Sequence, residues 1–192
     1  MPHHHRKELP MYGLVNQAVQ DFVTHSYGEP TWLRVRKQAG MQDADFILLE
    51  QYPDALTFGL VGATCEATGC EAEKLVEAIG EYWVAFTAQR GYGALLDQLG
   101  ETFPEALANL DAMHVRVALM MPSLQPPSFR VSDVMERSLM LTYISKRQGL
   151  TAMVIGLVKG LARRPKYKLD ATVTLFTARE EGGDTDVFKV TW

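Results

Sequence analysis

The spacing of apolar residues changes close to residue 121, and this change constrains the fold more than any other feature of the chain. Before Met121, apolar side chains recur every three or four residues, which is the spacing of amphipathic helices. Beyond it, Pro122, Pro126 and Pro127 cannot continue a helix, and the later segments alternate apolar and polar residues as strands do. We therefore expect an α+β chain with helices first and a sheet later.

Glycine and proline signals divide the helical part. Predicted helices begin near Met11, Trp32, Asp54 and Glu71, and the last one continues to Arg90. Its buried stripe is formed by Leu75, Val76, Ile79, Trp83 and Phe86. After a glycine-rich break at residues 91–93, another helix begins where Thr102 can cap it and Pro104 can occupy its first turn.

In the second part of the chain, the alternation of apolar and polar residues predicts a sheet whose strands are interrupted by one helix. The alternating segments are Ser128–Val134, Ser138–Lys146, Tyr167–Phe176 and Asp186–Trp192. A helix over about Leu150–Arg164 lies between the second and third segments. The order is therefore β-β-α-β-β, which we expect to form a four-stranded antiparallel sheet.

Composition and charge limit the class of protein. The chain has 192 residues, 47% of them hydrophobic, enough for one domain over residues 11–192 after a leader or cloning remnant at 1–10 with His3, His4 and His5. The net charge of -4 argues against nucleic acid or an anionic membrane as partner. No apolar run approaches the roughly 20 residues of a membrane span and no secretion signal is found, so we expect a cytoplasmic protein. Cys65 and Cys70 match no zinc or redox motif, and we interpret them as small helix residues, with a regulatory thiol as the alternative.

A histidine stands at the centre of an apolar stripe on the helix after Pro104. The members of this stripe follow each other at intervals of three, four, three and four residues: Leu107, Leu110, His114, Val117 and Met121. A lone histidine among aliphatic residues fits a haem ligand, because a porphyrin needs one axial base in an apolar pocket. Taken alone, this helix favours a core histidine bonded to a carbonyl. Asp111 is interpreted as a solvated helix residue.

Three hydrogen-bond donors converge at the end of the second predicted strand. Alternate positions from Leu139 and Leu141 to Tyr143, Ser145 and the following Arg147 share one face, which changes from apolar to polar. A guanidinium beside a hydroxyl and a phenol suits a carboxylate, such as a haem propionate. The alternative is a solvated strand end, since a Y-x-S-x-R match is weak evidence by itself.

The order and spacing of these residues resemble the haem-nitric oxide/oxygen binding (H-NOX) family. A helical histidine, the Pro126-Pro127 turn and the run from Tyr143 to Arg147 match the family pattern, and the similarity extends from Met11 to the last strand. The segment Gly80-Glu81-Tyr82-Trp83 and residues 91–93 resemble cyanobacterial members. The resemblance therefore indicates a stand-alone bacterial protein related to the haem domain of soluble guanylate cyclase.

This resemblance implies a set of haem contacts. Haem b would lie between the helical part and the sheet, with His114 as the axial ligand of its iron. The residues that would hold the propionates are Tyr143, Ser145 and Arg147, and Pro127 would press on the porphyrin and help to distort it. This sequence does not depart from the family pattern at these five positions.

The resemblance also indicates which gas is preferred. In oxygen-binding relatives a distal tyrosine precedes a Gly-Leu pair, and here Gly156-Leu157 places Met153 at that position. An apolar wall favours nitric oxide, because bound oxygen gains from a donated hydrogen bond. The predicted wall consists of Val15, Val19, Met153 and Leu157. Trp83 resembles the distal tryptophan of nitric-oxide-sensing relatives and is the one donor nearby, and a core aromatic residue is the alternative.

The family implies a sensor and not an enzyme. Nitric oxide and carbon monoxide would bind at a five-coordinate ferrous haem, and nitric oxide would release the helix of His114 to signal to a separate histidine kinase or diguanylate cyclase. No nucleophile–base pair, phosphate loop or paired carboxylates stand out. One alternative is a haem carrier or redox protein whose six-coordinate haem uses Met153. Another is a haem-free pocket for an apolar carboxylate, with Arg147 as its clamp.

Overall fold

A computed structural model of the chain describes residues 10–41, 45–121 and 123–192. The predicted leader, apart from Pro10, and the helix-ending Pro122 lie outside the described residues. The described residues form two compact units, the first ending at Leu75 and the second beginning at Val76. None of the helices in these ranges is both long and apolar enough to cross a membrane.

The first unit contains three helices and a very short sheet. The helices are α1 (Gly13–Tyr27), α2 (Glu29–Gln38) and α3 (Asp54–Thr68). Strands β1 (Met11–Tyr12) and β2 (Gln51–Tyr52) pair in antiparallel fashion. The predicted helix start at Met11 is wrong, because Met11 and Tyr12 bond to β2 before the helix begins.

Main-chain contacts set the start of α1. No side chain caps this helix, and the amides of Gly13 and Leu14 instead donate to the carbonyls of Glu50 and Leu48 at 2.8 and 3.0 Å. A Cβ at Gly13 would lie 2.0 Å from the carbonyl oxygen of Ile47, so only glycine permits this approach. The helix is therefore held by the loop that precedes β2.

The second unit begins within α4 (Ala72–Thr87). A kink follows within Ala88–Tyr92, where Arg90 and Gly91 leave the helical conformation and Gly91 has a φ of 95°, so the predicted glycine-rich break is confirmed. Three short helices come next: α5 (Gly93–Asp97), α6 (Phe103–Ala108) and α7 (Leu110–Met120). The last helix is α8 (Thr151–Ala162), close to its predicted position.

The predicted four-stranded antiparallel sheet is confirmed. Its strands are β3 (Ser128–Met135), β4 (Ser138–Ile144), β5 (Thr172–Thr177) and β6 (Thr185–Thr191), in the order β3-β4-β6-β5. The predicted start of the third strand at Tyr167 is wrong. The amide of Tyr167 donates to the carbonyl of Arg164 at 3.0 Å and its hydroxyl to that of Gly100 at 3.0 Å, so this residue belongs to the turn after α8.

The core of the second unit lies between the sheet and two of its helices. Buried side chains of α6 and α8 join those of the sheet in one apolar cluster, whose central members are Phe103, Leu107, Leu139, Leu141, Val154, Val158 and Phe188. Because α6 contributes to this cluster, the division between the units falls at Leu75 and not at the change of pattern near Met121.

Helices α4 and α8 approach each other closely within the second unit. A Cβ on Gly156 would lie 1.9 Å from the carbonyl oxygen of Glu77, and one on Gly80 would lie 2.3 Å from that of Met153. Lys159 pairs with Glu77 at 2.5 Å. The two glycines thus allow a backbone contact that determines how α8 is placed against α4.

Candidate functional site

The segment that carries His114 is two helices and not the single helix predicted. Asn109 interrupts it with φ and ψ of -93° and 5°, and its side-chain amide donates to the carbonyl of Leu99 at 2.7 Å. The stripe is therefore divided: Leu107 lies on α6, whereas His114 lies on α7. The predicted cap is confirmed, because Thr102 and Glu105 form a reciprocal capping box at the start of α6.

His114 is half-buried on α7, and its surroundings disfavour a charged imidazole. Burial lowers its pKa, which the charge of Asp111 and the carbonyl of Leu110 counteract in part. The ring is therefore neutral near pH 7 and keeps a lone pair for a ligand. Its Nδ1 atom is buried and has no hydrogen-bond partner in the part of the chain that the structure describes. A polar ring in this position is usually compensated by a partner, either a carbonyl such as that of Leu110 or a bound ligand.

Asp111 ties α7 to the sheet. Its carboxylate accepts hydrogen bonds from the hydroxyl of Ser128 at 2.9 Å and from the amide of Phe129 at 2.5 Å. The interpretation of Asp111 as a solvated residue is therefore wrong. Helical spacing alone could not show that the first residues of β3 lie opposite this carboxylate.

A row of aromatic rings connects the histidine to the second strand. The imidazole of His114 stacks on Phe129 with centroids 5.7 Å apart and an interplanar angle of 15°. Phe129 in turn lies 5.3 Å from the ring of Tyr143, its partner in the register of β3 and β4. The structure therefore brings two of the predicted site residues together through Phe129, which the sequence analysis did not single out.

The Y-x-S-x-R residues lie where β4 becomes a turn. Tyr143 is buried with Leu139 and Leu141 on one face of the strand, as the alternation predicted. The predicted strand end at Lys146 is wrong, since β4 ends at Ile144 and residues 145–147 form a turn before α8. The hydroxyl of Ser145 accepts from the amide of Arg147 at 3.2 Å.

The side chains of this motif present polar groups around the turn. Burial raises the pKa of Tyr143, while a hydrogen bond with Ser145 acts in the opposite direction. The guanidinium of Arg147 donates to the carbonyl of Gln125 at 3.4 Å, a long bond, and its side chain is half-buried. A phenol, a hydroxyl and a guanidinium thus lie in one short segment, and together they suit a carboxylate.

Behind this turn lies an ion pair that the sequence analysis missed. Arg179 and Asp186 approach to 2.7 Å, with side chains 10% and 1% exposed. A signal was present, because Asp186 alternates with the buried residues Phe188 and Val190 and so had to lie on the core face of β6. A carboxylate at such a position requires a partner.

The remaining predicted site residues are placed separately. Pro127 is half-buried immediately before β3, and Met153 and Leu157 are half-buried on α8. Trp83 is half-buried on α4, one turn after Gly80, with its ring centroid 6.2 Å from that of Phe86. In the first unit, Val19 is buried and Val15 half-buried on α1. Their common role as a distal wall stays a prediction.

The two cysteines belong to the first unit. Cys65 lies on α3 and Cys70 follows the end of that helix, and both are free and half-buried. Burial raises the pKa of Cys65, which disfavours its reactive thiolate. Among the residues that the structure describes, no group of three or more His, Cys, Asp or Glu side chains lies in position to hold a metal ion.

Comparison with known proteins identifies the family. The family model described as haem-NO-binding matches residues 12–175. The chain belongs to the haem-NO-binding family. The chain is similar to soluble guanylate cyclase gcy-33 of Caenorhabditis elegans, with 30% identity over 177 residues. The aligned region covers 92% of this chain and 19% of that protein. The chain thus spans about a fifth of the length of this relative.

Solved structures of H-NOX proteins share the fold of this haem-NO-binding chain. A mutant H-NOX protein from S. oneidensis in the Fe(II) ligation state has a TM-score of 0.84 and 18% identity, covering 94% of this chain and 95% of that chain. The H-NOX protein from S. oneidensis in the Fe(II)NO ligation state has a TM-score of 0.82 and 18% identity, covering 94% and 98%. The predicted family resemblance and the α+β fold are therefore confirmed.

Proposed function

We propose that this chain is a haem-based gas sensor that binds nitric oxide and carbon monoxide at a five-coordinate ferrous haem b ligated by His114. The observation that carries the proposal is the half-buried imidazole of His114, whose lowered pKa keeps it neutral and whose buried Nδ1 atom lacks a hydrogen-bond partner in the described ranges. Bound haem would supply the iron at which the gas is held. Membership of the haem-NO-binding family supports this assignment.

The proposed propionate clasp consists of Tyr143, Ser145 and Arg147. Arg147 contributes the cation, and the two hydroxyl groups donate or accept hydrogen bonds beside it. The contact of Phe129 with both His114 and Tyr143 holds the proposed iron ligand and the proposed clasp in a fixed spatial relation. Pro127, one residue before β3, is proposed to contact the porphyrin.

The proposed gas preference depends on α8. Met153 and Leu157 offer no hydrogen-bond donor, so a bound gas that needs one is disfavoured. Nitric oxide does not need a donor, whereas oxygen gains from it. Trp83 on α4 carries the indole N–H that could modify this preference, and its role is tested separately below.

We further propose that the chain is not an enzyme by itself and that it signals to a separate protein, such as a histidine kinase or a diguanylate cyclase. The helix α7 is suited to carry the signal, because His114 lies on it and Asp111 anchors its first turn to β3. A change in the position of His114 would therefore strain a defined pair of hydrogen bonds.

The decisive experiment replaces His114. We expect His114→Gly to lose most of its haem and to regain a five-coordinate ferrous spectrum when imidazole is added, since free imidazole fills the space of the lost ring. Absorption spectra of the reduced protein, before and after addition of nitric oxide and carbon monoxide, provide the measurement. The matched control is His25→Gly, since His25 is exposed on α1 and should leave haem content unchanged.

Two results would contradict the proposal. Unchanged haem content and coordination in His114→Gly would remove this residue from the site. A six-coordinate ferrous spectrum of the wild-type protein, lost in Met153→Leu, would favour the haem carrier or redox protein instead.

A further inference from the structure

The hairpin between β5 and β6 presents a buried ion pair to the turn at residues 145–147, which we call the clasp turn. The Nη2 and Nε atoms of Arg179 donate to one carboxylate oxygen of Asp186 at 2.7 and 3.0 Å. The amide of Arg179 donates to the other oxygen at 2.8 Å. Asp186 also accepts from the hydroxyl of Thr151 at 3.0 Å, so its hydrogen-bonding capacity is well used.

The same arginine reaches the main chain of the clasp turn. Its Nη1 atom donates to the carbonyl of Ser145 at 3.1 Å and to that of Arg147 at 3.0 Å. The guanidinium carbon also lies 5.5 Å from the ring centroid of Tyr143. One planar side chain therefore contacts all three positions of the proposed clasp.

Other atoms of the hairpin support this arrangement. The amide of Ser145 donates to the carbonyl of Asp184 at 2.7 Å, which continues the pairing of β4 with β6 beyond the ends of both strands. The side chain of Gln148 donates to the carbonyl of Gly183 at 3.1 Å. Ordering a free turn costs conformational entropy, so a turn that is held beforehand binds its ligand more tightly.

We propose that Arg179, oriented by Asp186, is a positioning residue that holds the clasp turn in the shape that a haem propionate requires. This inference rests on the proposed function, because it assumes that the clasp binds a propionate. Asp186 balances the charge of Arg179, so Arg179 acts through the geometry of the main chain. The cation that meets the carboxylate is Arg147.

The test compares two forms of haem. One has free propionates, and the other is haem dimethyl ester, in which both carboxylates are esterified. The rate at which each leaves the protein is measured by transfer to an excess of apomyoglobin. Arg179→Lys keeps a cation for Asp186 but loses the planar fork that bonds two carbonyls. We expect it to release ordinary haem about tenfold faster, since the two hydrogen bonds that hold the main chain of the clasp turn are lost, and to change ester release less than twofold.

Two further variants keep the result interpretable. The double variant Arg179→Gln with Asp186→Asn removes both charges and leaves no unpaired ion. It should also release ordinary haem faster than the wild type does, with little change in the release of the ester. Arg163→Lys is the matched control, because Arg163 pairs with Asp170 and Glu81 away from the clasp turn and should change neither rate.

Arg147→Ala separates this inference from the proposed function. If Arg147→Ala accelerates release of ordinary haem selectively and Arg179→Lys accelerates both haems equally, Arg179 is only structural and the inference fails alone. If Arg147→Ala also affects both haems equally, the proposed clasp itself is wrong. If Arg147→Ala, Arg179→Lys and the double variant all accelerate the release of ordinary haem and not that of the ester, both the proposed clasp and the role of Arg179 are supported.

Discussion

Met153 is the single side chain on which the proposed gas preference depends most. Its thioether cannot donate a hydrogen bond, and it is half-buried on α8, where the backbone of Gly80 approaches its carbonyl oxygen. Because the neighbouring helix is so close, the backbone at position 153 is fixed against α4. The residue is therefore suited to a direct test of the preference.

We expect the reduced wild-type protein to form no stable oxygen complex in air and Met153→Tyr to begin to retain oxygen. A donated hydrogen bond to a charged acceptor contributes about 1.5–3 kcal/mol, which corresponds to roughly tenfold or more in affinity. Oxygen dissociation followed by stopped-flow absorption is the measurement. Trp83→Phe should alter gas dissociation rates without changing the ranking of the gases. Durable oxygen binding by the wild-type protein would contradict the alignment of Met153 with the distal position.

Among the helices, the packing of α8 on α4 depends on glycine. Gly156 faces the carbonyl oxygen of Glu77 and Gly160 faces that of Glu81, where an added Cβ would lie 1.9 and 2.6 Å away. These oxygens belong to a helix backbone and cannot rotate aside. A side chain at either position must therefore push the two helices apart.

We expect Gly156→Ala to lower the free energy of unfolding by about 1–3 kcal/mol, the usual cost of overpacking. The matched control is Gly62→Ala on α3, where nothing lies within 4 Å of an added Cβ. That change should raise stability by roughly 0.5–1 kcal/mol, because alanine favours a helix more than glycine does. Urea denaturation followed by circular dichroism gives both values, and equal effects of the two substitutions would contradict the packing argument.

The sequence predicted the elements better than their contacts. Periodicity located the helices and the β-β-α-β-β order, because each element buries one face and its apolar residues must repeat at its own period. It placed Tyr143 on a buried face for the same reason, whereas the face of α7 that carries His114 is only partly buried. It could not show that Phe129 lies between them, or that Asp111 meets Ser128, since these contacts join elements far apart in the chain. The break at Asn109 was missed because the apolar spacing continues across it.

For the molecule as a whole, the Arg179–Asp186 pair should couple stability to pH. Burial alone would raise the pKa of Asp186, but hydrogen bonds from Arg179 and Thr151 outweigh it and hold this pKa below its usual value. A carboxyl group whose folded pKa is lowered stabilises the protein above its unfolded pKa of about 3.9. This contribution is lost as the pH falls from there through the folded pKa.

We therefore expect the difference in unfolding free energy between wild type and Asp186→Asn to be about 3 kcal/mol near pH 7, as for other broken buried pairs. The difference should shrink when the pH falls below about 3.9. Urea denaturation of the haem-free protein from pH 7 to pH 3 is the measurement. Asp170→Asn, which changes an exposed partner of Arg163, should differ little from wild type at any pH. A constant difference for Asp186→Asn would show that its charge is not responsible.

The strand order also determines when this fold can be completed during synthesis. Strand β6 leaves the ribosome last of the four, yet it lies between β4 and β5, so β5 has no neighbour in the sheet until β6 has emerged. The pairing of Ser138 with Thr191 joins residues on either side of α8, which makes it a late event of high contact order. Asp186 arrives on that same strand, after His114, Tyr143 and Arg147 have already been made. A nascent chain would therefore have the proposed iron ligand early and a rigid proposed clasp only once β6 has emerged, and this delay favours capture of the cofactor after β6 has been made and not before.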